Sequence, residues 1–343
     1  MKRFENILSA SRSLLLAIAL FLGLSSCVHE FPEAVDAEFI LTLKYDTELP
    51  IYQIVDWVTK SSADPEDYDT RYVIKAFPET RRGDFSTTPE KTWIFTEADV
   101  TELDYQVSLF IKEGNYKFMV WTDFVPAGTQ DHYFHNPDNF GEIIENTAYC
   151  GNNDMRDCYR GWTVADVVRF GSAVPPVSGT VEMSRSIAKF TFESIDLIDF
   201  MTKEARTKSE KENTKVDPSD IDLSEYKIVF YYTGFKPSAY NMHSDRPNDS
   251  RTGIKFESNI QQIDENTAYL GFDYCFSNAD QTTVNMAIGV YDKEGTEVSL
   301  INGIDVPLQR GKHTIIRGRF MTQESYGGVA INPEFDGEFN ITI

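Results

Sequence analysis

Residues 39–45, FILTLKY, put Phe39, Leu41, Leu43 and Tyr45 on one side of an extended chain and Ile40, Thr42 and Lys44 on the other. A period of two marks a half-buried strand. The period returns in RYVIKAF (71–77), KTWIF (91–95), YQVSLFI (105–111) and YKFMVW (116–121). The last two flank Lys112, Glu113, Gly114 and Asn115, a composition that predicts a hairpin turn. Residues 122–170 are rich in Gly, Asn, Asp and Pro and hold no sustained period, so they read as long loops, with TVADVVRF (163–170) the best helix candidate. Beyond Pro175 and Pro176 the alternation resumes in GTVEM (179–183) and SIAKFTFESIDL (186–197), which places a domain junction near residue 182.

The charge-dense residues 201–225, with KSEKENTK inside them, read as a solvated insertion loop. Strand text then recurs at 226–235, 267–276, 283–292, 312–320 and 336–343. Lys293, Glu294, Gly295 and Thr296 turn the chain from one strand into the next, EVSLIN. Many short runs between turns, with little helical periodicity, predict an all-β fold. A chain of 343 residues exceeds what one core comfortably serves. The expected architecture is two tandem antiparallel β-sandwich domains, 38–182 and 183–343, with long loops and few short helices. Twenty-four phenylalanines and seventeen tyrosines suit cores of that kind.

The first residues follow another rule. Lys2, Arg3 and Arg12 precede LLLAIALFLGL (14–24), eleven residues without a charge. A membrane-spanning helix needs about 20 apolar residues, so this run fits a signal-peptide core better than a span. Leu24, Ser25, Ser26 and Cys27 resemble a bacterial lipobox. The expectation is a leader, 1–26, removed to expose a lipid-bearing Cys27, then an acidic tether, 27–37; an ordinary secretory signal with an incidental cysteine is the alternative. Two or three acyl chains anchor a protein stably where one does so marginally.

Net charge narrows the partners. Fifty-four acidic residues against thirty-two basic ones give −22. Nucleic acid is excluded as an expected partner because its phosphates need a basic patch, and an anionic membrane surface would repel the chain. The acidity itself serves solubility. Of four cysteines, Cys150, Cys158 and Cys275 remain once Cys27 is spent. Cys150 and Cys158 are near enough in sequence to close a short loop, and buried free thiols are the alternative.

Chemistry-bearing motifs are scarce. The sequence has no GxSxG, HExxH or Walker motif. His132 and His135, in DHYFHNPD, could share a metal, although a structural role is the expectation. GNNDMRD (151–157) offers oxygen ligands but lacks the spacing of a calcium loop. No cofactor and no metal is expected, and no carboxylate pair stands out as an acid and base. Four tryptophans remain as possible sugar platforms. Trp93 and Trp121 lie in strand text and read as core, whereas Trp57 and Trp162 are the candidate glycan contacts.

Five strings, YKFMVWTDF, YCGNNDMRDCYRGW, VEMSRSIAKFTFESIDL, YKIVFYYTGFKPSAYNMHSDRPNDSRTGIKF and GGVAINPEFDGEFNITI, together resemble the Bacteroidales fimbrial anchor and minor-fimbrilin lipoproteins over most of the mature chain. That resemblance implies paired transthyretin-like β-sandwiches, an outer-membrane lipid anchor facing the exterior, and assembly with fimbrial stalk subunits or other surface proteins. It further implies a mechanism in which polymerising subunits lose an N-terminal strand to an arginine-specific protease and accept a neighbour's C-terminal strand. Anchor members keep theirs. Arg71, Arg81 and Arg82 are the candidate cleavage points, and a lipid on Cys27 argues for retention.

The tail suits that scheme. Phe335, Gly337, Phe339, Ile341 and Ile343 alternate with Glu334, Asp336, Glu338, Asn340 and Thr342. Such a strand either completes its own sheet or is lent to a neighbour. The leading expectation is a non-enzymatic, lipidated structural subunit of a fimbria-like adhesive assembly, with Phe335, Phe339, Ile341 and Ile343 as its assembly residues. The alternative is a glycan-binding surface lipoprotein.

Overall fold

The computed structural model describes residues 36–45, 67–97, 104–169, 175–322, 330–331 and 338–342. Its first half holds β1 (Ala37–Tyr45), β2 (Tyr68–Arg81), β3 (Asp84–Phe85), β4 (Lys91–Glu97), β5 (Asp104–Ile111), β6 (Gly114–Pro126), β7 (His135–Asn136), β8 (Ile143–Glu145), β9 (Tyr159–Val167) and β10 (Val177–Arg185). The second holds β11 (Ile187–Ser194), α1 (Leu197–Glu212), β12 (Lys227–Tyr232), β13 (Lys236–Asn241), β14 (Arg246–Arg251), β15 (Lys255–Asn259) and β16 (Gln261–Gln262). It ends with β17 (Ala268–Phe276), β18 (Thr282–Tyr291), β19 (Glu297–Leu308), β20 (His313–Gly318), β21 (Ala330–Ile331) and β22 (Glu338–Thr342). The fold is all-β with one α-helix among the described residues.

The alternation in FILTLKY is realised as expected. Phe39, Leu41, Leu43 and Tyr45 are buried, and β1 runs between β5, antiparallel, and β10, parallel. β10 follows β1 and then pairs through Ser184 and Arg185 with β9, from which the path continues to β6, β2 and β4. The two limbs close on each other: Phe39 of β1 stacks on Phe118 of β6 at 4.5 Å, and Tyr72 of β2 on Tyr105 of β5 at 4.3 Å. A second core lies between the sheet β16-β17-β11-β20-β22-β21 and the sheet β15-β12-β18-β19. There Phe192 meets Phe230 and Phe320, at 5.3 and 5.4 Å between ring centres.

A third apolar cluster joins the halves. Val73, Phe77, Met119 and Trp121, from the outward face of β2 and β6, pack with Ile187, Tyr240, Phe272 and Phe276, with Phe140 of the intervening loop and with Ile143 of β8. The main chain crosses here as well, because β8 pairs with β13 in the small sheet β14-β13-β8-β7. Residues 127–158, featureless by period, are the material that fastens one half to the other.

Three local expectations are corrected. Residues 163–169 do not form a helix, since β9 runs through Val167; Thr163, Val164 and Val167 are β-branched, and half-buried Thr163 and Ala165 alternate with exposed Val164 and Asp166. Residues 201–225 are not an insertion loop. α1 occupies their first half, with Leu197, Phe200, Glu204 and Ala205 buried at helical spacing, and Asn213 closes it in the left-handed conformation, φ 52°. Lastly, β5 and β6 are not a hairpin. β5 pairs with β1 and β6 with β2 and β9, so residues 112 and 113 carry the chain from one limb of the sheet to the other. The turn expected at 293–296 is present between β18 and β19, where the Thr296 amide donates to Asp292 Oδ1 at 2.7 Å and Gly295 has φ 80°.

Candidate functional site

The tail is the first candidate. β22 runs parallel to β20, with Phe339 opposite Thr314 and Ile341 opposite Ile316, and among the described residues only the two-residue β21 pairs its other side. Ile315 and Ile316 of β20 are buried, so the strand docks on a formed sheet. Phe335 and Ile343 lie outside the described residues, as do Cys27 and Trp57.

At the opposite end of the chain β1 has ladder partners on both sides. Among the candidate cleavage points, Arg71 is enclosed: its guanidinium makes paired bonds to Asp123, 2.9 Å from Nε to Oδ1 and 2.7 Å from Nη2 to Oδ2, and it is 1% exposed. Arg81 and Arg82 are exposed, at the tight turn from β2 to β3.

Trp162 sits on β9 and is 40% exposed. Lys117 Nζ lies 5.1 Å and the Arg160 guanidinium carbon 5.5 Å from its ring centre, so cations already attend this aromatic. Trp121 is fully buried and Trp93 partly so.

The junction holds a dense ionic layer. GNNDMRD forms a single 3-10 turn, Asp154–Arg156, capped by Asn153, whose side chain accepts from the Met155 amide at 2.9 Å. Its carboxylates are spent on protein cations. Asp154 accepts from Lys189 Nζ at 2.9 Å and from Tyr274 at 3.0 Å, and Asp157 pairs with Arg185 at 2.8 Å. Arg156 reaches Glu145 at 2.9 Å and Asp273, while Lys236 Nζ, fully buried, donates to both Glu145 oxygens at 2.7 Å. Tyr149 and Tyr232 donate to Asp273, the second at 2.7 Å. Burial by itself would raise the Glu145 carboxyl, but Lys236 and Arg156 outweigh it and hold the group below the usual range. Burial, reinforced by Asp273, pushes the Tyr232 hydroxyl far up.

The two histidines do not converge on a common ligand position. His132 Nδ1 lies 2.9 Å from Arg71 Nη1 and its Nε2 3.1 Å from Asp138. His135 turns inward against Trp121 and Phe276, and burial lowers its pKa to about 4. No group of three or more metal-ligating side chains occurs among the described residues. Cys150 and Cys158 are not bridged: Cys150 is exposed, Cys158 is buried with Sγ 3.0 Å from Ser186 Oγ, and Cys275 is buried. Burial raises the thiol of Cys158 well above its ordinary value and that of Cys275 to about 12.

This layer was invisible to sequence reading, because Glu145, Arg156, Lys236 and Asp273 are far apart in the chain and lie among fifty-two other acidic residues. The signal that could have found part of it is the run of three charges in GNNDMRD, which belongs to the junction and not to a cation loop.

The chain belongs to a family of unknown function (DUF6562), matched over residues 32–343. No curated protein matches it. Its neighbours among solved structures include fimbrial proteins. These are the fimbrial anchor protein Mfa2 from Porphyromonas gingivalis (10% identity, 77% of this chain and 81% of that one, TM-score 0.36), the tip fimbrial protein Mfa3 from the same organism (10%, 79% and 81%, 0.36), and a fimbrial assembly protein from Parabacteroides distasonis (11%, 84% and 92%, 0.37). The all-β architecture itself stands on the strand pairing described above. No helix among the described residues is long and apolar enough to cross a membrane.

Proposed function

We propose that this chain is a non-enzymatic structural subunit of a fimbria-like adhesive assembly, held at the exterior of the outer membrane by a lipid on Cys27. In this reading 1–26 is a removed leader, 27–37 the tether, and 38–182 and 183–343 the two β-sandwich bodies. The observation that carries it is the seat of β22, a short strand near the margin of its sheet whose outer side is paired, among the described residues, by Ala330 and Ile331 only. A ladder of that length is exchangeable for the equivalent strand of another subunit. β1, paired on both sides, fits a member that keeps its own N-terminal strand. The partners are then fimbrial stalk subunits or other surface proteins.

Two measurements test the reading. Intact mass of the mature chain should show an acylated Cys27 at the N-terminus, and a different first residue would remove the anchor. Deleting residues 335–343 should abolish capture of co-expressed subunits while both cores stay folded by circular dichroism. Capture that survives the deletion would refute a lent strand, and collapse of the second core would show that the strand is wholly internal.

A further inference from the structure

We propose that the outward face of β12 and β18 binds a neutral polysaccharide, with Tyr231 and Tyr291 as its stacking platform. Along β12, Ile228, Phe230 and Tyr232 enter the core, which leaves Lys227, Val229 and Tyr231 on the other face. Along β18, Val284, Met286, Ile288 and Val290 point inward, leaving Asn285, Ala287, Gly289 and Tyr291 outward. The register sets Val229 against Gly289, Tyr231 against Ala287 and Lys227 against Tyr291. Small residues therefore lie between the two rings.

The rings lie down on them. A methyl group built on Gly289 would come within 2.6 Å of the Tyr291 ring, so that ring rests over the glycine. Val229, Ala287 and Gly289 are covered although they face away from the core, while Tyr231 and Tyr291 keep part of their surface in solvent. The two hydroxyls are 3.1 Å apart and satisfy each other. What remains on offer is the upper face of two aromatic rings joined tip to tip. Such a strip suits the C–H faces of consecutive pyranose units, since aromatic faces are electron-rich and flat.

The surroundings fix the class of ligand. Lys227 is paired with Glu257 at 2.8 Å, Asn285 donates to Asp305, and Lys255 stands opposite Tyr231. Glu297 stands opposite Tyr291 on β19, so two ammonium groups face three carboxylates. A face ringed by amide, ammonium and carboxylate groups, with no excess of cations to hold an anionic chain, complements a partner with many hydroxyls and no charge. Phe235, 73% exposed, is a further aromatic four residues beyond Tyr231, and Gly234 before it sits beside Asn285. This inference does not rest on the assembly reading, and neither test decides the other.

The experiment is native gel electrophoresis of the full chain through laminarin, xylan, galactomannan or pullulan, with heparin as the charged probe. Wild type should be retarded by at least one neutral polymer and not by heparin. Tyr231→Ala with Tyr291→Ala should lose that retardation, and Tyr231→Phe with Tyr291→Phe should keep it. Gly289→Ala, which lifts the Tyr291 ring while leaving both tyrosines in place, should lose it too and decides the matter should the alanine pair fail to fold. Passage of wild type unretarded through all four neutral gels, retardation by heparin alone, or unchanged retardation of folded Gly289→Ala would overturn the proposal. So would a dimer in polymer-free gels that Gly289→Ala abolishes, since the face would then be a contact between copies.

Discussion

Glu145→Gln is the sharpest probe of the junction. Its carboxylate accepts from a fully buried ammonium, Lys236, through both oxygens at 2.7 Å and from Arg156 at 2.9 Å. Glutamine keeps the shape but has one acceptor oxygen, and its amide nitrogen must face one of two groups that can only donate. Arg156 retains Asp273, whereas Lys236 loses its counter-charge and keeps one neutral amide oxygen beside the Pro237 carbonyl at 3.2 Å and the ring faces of Tyr149 and Tyr232. Breaking one partner of a buried ion pair costs about 3–5 kcal/mol. For a chain of this size that corresponds to a fall in Tm on the order of 10 °C.

The companion change supplies the control. Lys236→Met removes the stranded charge and puts an apolar chain of similar length beneath the two tyrosine rings. The double variant should therefore regain most of the loss, because replacing a whole buried pair by apolar groups is often near neutral. Scanning calorimetry of the wild type, both singles and the double would measure the coupling. A fall below about 2 °C in the single, or a double variant no more stable than it, would refute the claim that these charges depend on each other across the junction.

Further expectations follow from buried groups. His135 has its pKa lowered to about 4 by burial, so the unfolded chain binds its proton first as pH drops below 6.5. Its contribution is complete above pH 6.5 and declines towards pH 4 by about 3 kcal/mol, and His135→Gln should flatten stability over that window in urea titrations. In the native protein iodoacetamide should label Cys150 quickly and leave Cys158 and Cys275 until unfolding, as read by peptide mass. Gly271→Ala should destabilise by about 1–3 kcal/mol, since its methyl would meet the Phe230 ring at 2.7 Å and Ser258 at 2.9 Å; an unchanged denaturation midpoint would show that the core yields there.

How much of this could be read from the letters depends on which force set each element. β1, β2, β11, β12, β17 and β18 bury one or both faces against a core, and their alternation or continuous apolarity states it directly. α1 was hidden because only Leu197, Phe200, Met201 and Ala205 mark its inner face, while lysine and glutamate on the outer face read as solvated loop. The false hairpin at 112–115 shows another limit: turn residues announce a reversal, but whether the chain pairs with itself or crosses to the facing limb of the sheet is decided by partners far away. The tail was legible as a strand and its partner, β20, was not. For the junction, pattern fails altogether, since a buried charge has the same letter as a solvated one.

The placement of β1 has a mechanical corollary. A strand bonded along both flanks, when pulled from the side of Ala37 along its own axis, loads both ladders in shear, and their bonds must yield collectively instead of unzipping one by one. Force arriving from that end would thus be spread over the first sheet at once, which is the geometry that resists sustained tension best.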